Sequence, residues 1–154
     1  MEVSAESVKS FLESASLLGA VSEDKRSRYL SLYERATKTT SVITGMPGGG
    51  GADRGAVLAT LADAEDDSKR WEEFVKERKK LVSRFLNDAE IDDYYKELLI
   101  RRYVIGVGWH FIFLMLRDTK EMSERKMYYD HNKALEACAD WVNKTGKYKE
   151  VIDK

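Results

Sequence analysis

The stretch SERKMYYDHNKALE, residues 123–136, carries an arginine, two tyrosines, an asparagine and two lysines at helical spacing. Wound at 100° per residue, Met127, His131, Ala134, Leu135, Cys138, Trp141 and Val142 fall on one apolar face. Arg125, Tyr129, Asn132, Lys133 and Glu136 fall on the other, with Lys126 beside them and Tyr128 at the boundary. These residue types suit contact with DNA, because arginine bridges guanine acceptors, asparagine pairs with adenine and lysine meets phosphate. A solvated amphipathic helix of this length would also display Lys and Arg.

Bond-making chemistry has no comparable constellation. His110 and His131 are far apart and neither sits at a metal-ligand spacing. His131 and Cys138 read as core residues of the final helix. Asp92 and Asp93 are adjacent, so on a helix they face different directions and do not act as a pair. One cysteine cannot form an intramolecular disulfide. The run TTSVITGMPGGGGADRG, residues 39–55, holds four consecutive glycines and the only proline. A phosphate-binding loop would need GxxxxGK[ST] after a strand, and neither that lysine nor a strand is there. No catalytic residue, metal site or cofactor is expected.

The elements that position residues 123–136 are helical by pattern. Hydrophobic residues make up 43% and charged residues 34%, enough for one ordinary core, and a single proline suits long helices. Val8, Phe11, Ala15, Leu18, Ser22, Lys25, Tyr29, Leu32, Ala36 and Thr39 alternate three- and four-residue steps as a heptad seam. Val57, Leu61, Ala64, Ser68, Trp71, Val75, Arg78, Val82 and Phe85 repeat it, widened by Phe74 and Leu81. Two arms of similar length joined by a glycine-rich turn at 46–53 predict an antiparallel helical hairpin over 1–87, with Asp53 capping the second arm. Heptads call for a helical partner without saying whose, so Trp71 and Phe74 are expected either in the seam between the arms or against a second copy.

Residues 88–154 form the second expected domain. The spacing predicts helices at about Ile91–Val104, Trp109–Leu116 and Ser123–Asn143, broken at Gly106 and Gly108 and again at RDTKEM. Ser123 is the expected N-cap of the last. Together they fit a helix-turn-helix. Charge agrees with that placement. Residues 1–87 hold 14 basic and 14 acidic side chains, 88–97 one and five, and 98–154 eleven and eight, so the net charge of −1 conceals a basic C-terminal third. The apolar run Val104–Leu116 is too short to span a bilayer and has a buried strand as its alternative. Within WHFIFLML, Phe111, Phe113 and Leu114 exceed what a one-faced helix buries, marking a surface for the hairpin, a second copy or another protein partner. The N-terminus, MEVSAESVKSFLESA, is amphipathic and acidic, unlike a signal peptide, so a cytoplasmic location is expected.

The stretch ATKTTSVITGMPGGGGADRG, with LLIRRYVIGVGW and MSERKMYYDHNKALE, resembles phage late-gene transcriptional regulators of the ArpU and RinA type over roughly residues 11–142. That resemblance implies an all-α chain with a helical hairpin followed by a helix-turn-helix like the promoter-reading region 4 of sigma factors. It also implies a sequence-specific activator in the cytoplasm of a bacterial host, bound to double-stranded promoter DNA, with host RNA polymerase as a candidate partner of the WHFIFLML surface. On matching positions it makes Ser123, Arg125, Lys126, Tyr128 and Tyr129 the start of a recognition helix, to which the helical geometry adds Asn132 and Lys133. WHFIFLML departs from the family's acidic first helix, and RDTKEM is longer than its usual turn. The alternative is a phage effector that binds protein through the hairpin and a degenerate helix-turn-helix.

Overall fold

The computed structural model describes the backbone of residues 1–43 and 51–154 and the side chains of 1–38 and 55–154. Those residues are all-α. Helix α1 runs Ala5–Ile43, α2 Gly51–Asp88, α3 Asp93–Leu99, α4 Trp109–Arg117, α5 Glu124–Thr145 and α6 Lys149–Ile152, with a π-helical turn Ile100–Ile105 continuing α3. Of the turn expected at 46–53, residues 46–50 lie outside the described residues, and 51–53 open α2. Because α2 starts at Gly51, Asp53 lies inside its first turn rather than capping it.

The strand alternative for Val104–Leu116 does not hold. Gly106 takes the left-handed backbone (φ 82°) that ends the π turn, and α4 starts at Trp109. A β-branched or bulky residue at Gly106 would be strained, which is why glycine sits at this break.

Two compact units emerge, one of Met1–Ser16 with Glu77–Lys154 and the other of Leu17–Lys76. Packing thus groups the outer ends of both arms with the C-terminal third, whereas the pattern suggested a division at 87/88. The cause is the apolar face of α5. Val8, Phe11 and Ala15 of α1, with Val82, Phe85 and Leu86 of α2, are buried in one core with Ala134, Cys138, Trp141 and Val142. Phe85 is its centre, edge-on to Phe11 at 5.4 Å, to Trp141 at 5.9 Å and to Tyr148 at 5.3 Å. Asn143 fastens the N-terminus, accepting from the Val3 N–H at 2.8 Å and donating to the Val3 carbonyl at 2.9 Å. Gly146, at φ 71°, terminates α5.

In the second unit Lys25 meets Asp67 at 3.0 Å, and Leu32 and Ala36 line a groove with Ala56, Val57 and Thr60. The paired positions run in opposite directions along the two helices. Among the described side chains of this unit, only Ser22, Ser68 and Val75 are buried.

Candidate nucleic-acid interface

A second small core positions the residues of interest. Leu98 of α3, Ile112 and Leu116 of α4 and Met127 of α5 are buried together, with Tyr94, Val107, Trp109, Phe113 and Met122 packed against them. The long turn between α4 and α5 is held by the Leu116 carbonyl, which accepts the amide N–H of Thr119 at 3.2 Å and of Lys120 at 2.9 Å. Lys120 also places its ammonium 3.8 Å above the Tyr94 ring. Helix α5 begins where expected. Ser123 has extended backbone, and its Oγ accepts the Lys126 N–H at 3.1 Å, satisfying one of the first-turn donors.

The α5 face expected to be apolar is buried throughout, from Met127 to Val142. Opposite it, Arg125, Lys126, Tyr128, Tyr129 and Asn132 are exposed and Lys133 half-buried. The six are not equivalent. Lys133 is committed to Glu136 at 3.1 Å, which raises its pKa above the usual lysine range. Lys126 sits 3.9 Å from the Asp130 carboxylate. Tyr128 leans on Trp109 with centroids 5.3 Å apart. Among the described residues Arg125 makes no ion pair, so its guanidinium is available.

Beneath that face lies a polar layer that fixes α5 against α3 and α4. His131 is buried, its Nε2 2.8 Å from the Tyr103 hydroxyl and its ring edge-on to Trp109 at 4.6 Å. Burial, with Lys9 and Arg102 adding smaller effects, pushes its pKa down to about 4, so the ring is neutral near pH 7. The π turn puts consecutive residues to use here. Arg102 covers the Trp109 ring at 4.8 Å while Tyr103 reaches His131.

Asp130, which periodicity did not single out, is buried and accepts the Tyr94 hydroxyl at 2.9 Å. Burial, then this hydrogen bond, raises the Tyr94 pKa. Its spacing held the signal, since it lies three residues after Met127 and four before Ala134. An acid in that stripe must find a donor. Cys138 is a buried free thiol, its pKa pushed up to about 12 by burial.

The expected protein-contact residues are dispersed. On α4, Phe111 is 63% exposed, whereas Phe113 and Leu114 are half-buried, Phe113 within the small core. Trp71 and Phe74 belong to the other unit, where their rings meet edge-on at 5.7 Å. Among the described residues no group of three or more His, Cys, Asp or Glu could hold a metal ion, and no helix is long and apolar enough to cross a membrane. The chain matches no protein-family model, no curated protein and no solved structure.

Proposed function

We propose that this chain is a phage-encoded, sequence-specific DNA-binding regulator of transcription, in which α4, the turn and α5 act as a helix-turn-helix carried by a helical hairpin. The observation that carries this reading is the outward face of α5. Arg125, Tyr129 and Asn132 stand exposed on the N-terminal half of a helix whose other face is anchored by Met127, His131 and Ala134. A recognition helix needs that division, because base edges must be met by side chains whose backbone does not move. The likeness of the glycine-rich turn and of MSERKMYYDHNKALE to phage regulators supports the phage setting and the activator role.

Each residue takes a role from its surroundings. Arg125 and Asn132 are the base readers, Tyr129 packs beside them, and Lys126 meets phosphate. Lys133 contributes least, because binding must first separate it from Glu136. Replacing Arg125 or Asn132 by alanine should cost about 1–3 kcal/mol on the preferred site and little on random DNA. Replacing Lys126 should weaken all sequences alike and flatten the salt dependence. Fluorescence polarisation on specific and scrambled duplexes distinguishes the two patterns.

One observation favours the second reading, a protein-binding effector. Phe111 and Met115, one turn apart on α4, are 63% and 45% exposed. If that face were the functional one, Phe111→Ser would abolish partner binding and Arg125→Ala would leave it intact.

A further inference from the structure

The unit Leu17–Lys76 is under-buried for two helices of this length. Of its described apolar side chains only Val75 is buried, whereas Leu17, Val21 and Phe74 are 66%, 36% and 51% exposed. Helices in water draw most of their stability from an apolar face covered by other elements, and one thinly packed seam supplies little of it. A surface that completes the unit is therefore called for, and its pattern indicates what occupies it.

Leu17 and Val21 flank the inner seam of α1 on one side, the side on which Lys25 and Arg28 line a groove of 390 Å³ with Asp63, Asp67 and Arg70 of α2. Phe74 lies one turn beyond Arg70 on the same flank of α2. One broad face thus has an apolar end and a charged middle. In that middle the Asp67 carboxylate is paired with Lys25 and Arg70, whose hydrogen bonds lower its pKa, Lys25 foremost. Arg28 and Asp63 line the same groove and make no ion pair among the described residues.

We propose that this face binds the same face of a second copy, giving an antiparallel four-helix bundle with its two-fold axis parallel to the helices. The register follows from the pairs already formed. Lys25 meets Asp67, and Leu32 shares a groove with Thr60, so residues at one height have numbers that sum to about 92. An axis along the helices lays α1 of one copy on α2 of the other at unchanged height. Arg28 then faces Asp63 of the second copy, Val21 faces its Trp71 and Leu17 its Phe74, each pair occurring twice as an isologous contact requires. The charged middle and the apolar end are self-complementary in this arrangement. The face, roughly 33 Å by 20 Å for 22 residues of two helices, covers about 650 Å² per copy, near the ~800 Å² of a standard stable interface. This pairing does not depend on whether the chain reads DNA.

Sedimentation equilibrium of the full chain tests it, with circular dichroism on every variant to establish that it is folded. The unmodified chain is dimeric at micromolar concentration. Arg28→Glu and Asp63→Arg, each alone, place like charges together twice and weaken self-association about tenfold or more. Mixed in equal amounts, the two variants restore the dimer, because both contacts of the mixed pair are complementary. Repulsion confined to one chain could not be rescued by mixing, so a failure of the mixture to associate overturns the proposal. A monomeric unmodified chain at about 100 μM overturns it as well. Loss of the dimer in Leu58→Asp but not in Phe74→Asp would show that copies meet through the opposite face, where Leu30, Tyr33 and Leu58 are exposed.

Discussion

Protonating His131 should loosen the fold, by an amount that follows from its surroundings. The imidazole is enclosed by Tyr103 and Trp109, and burial, then Lys9 and Arg102, lowers its pKa from 6.5 to about 4. A depressed basic group means that the folded state favours the neutral ring. Its stabilising contribution is therefore complete above pH 6.5 and disappears as the pH falls through 4. Between about pH 7 and pH 4.5 the loss amounts to roughly 2 kcal/mol, at about 1.4 kcal/mol per unit across most of that window. Urea denaturation of the unmodified chain and of His131→Gln at both pH values measures it. Glutamine keeps a hydrogen-bonding group towards Tyr103 and does not titrate, while the carboxylate titrations common to both proteins cancel. The unmodified chain should lose roughly 2 kcal/mol more than the variant on acidification. Equal losses would refute the idea that His131 is held neutral by its enclosure.

Two stability changes follow from single contacts. Ser123→Ala removes the acceptor of the Lys126 N–H and should cost about 1 kcal/mol in urea melts, whereas an unchanged midpoint would mean that water caps α5 equally well. Asn143→Ala strips both hydrogen bonds from Val3 and should cost about 1–3 kcal/mol, with faster amide exchange at Val3 than at Val8; protection of Val3 in the variant would contradict the fastening role.

Periodicity made α5 legible because one amphipathic helix encodes its own buried side. The positions from Met127 to Val142 and the Ser123 cap could be read at 100° per residue, and the breaks at Gly106 and RDTKEM likewise. Local pattern is silent about partners. Val8, Phe11, Val82 and Phe85 announce only that some helix covers them, and the fact that α5 does so places them with the C-terminal third. Asp130 falls in the buried stripe by spacing, but the donor that makes its burial tolerable, Tyr94, lies 36 positions earlier, beyond the reach of local pattern. The Asn143–Val3 clasp, 140 residues apart, has no local signature at all. Of the outward face of α5, exposure could be anticipated, but not that Lys133 is engaged by Glu136 while Arg125 makes no ion pair among the described residues.

The central claim is that α5 reads a DNA sequence, and selection of binding sites from random double-stranded DNA by the unmodified protein tests it most directly. A few rounds near physiological salt should enrich one recurring sequence, bound 10³-fold or more tighter than random DNA, in line with specific readers generally. Arg125→Ala should relax the preference at a defined position of that site. Retention of DNA without enrichment of any sequence, or no retention at that salt, would contradict the claim.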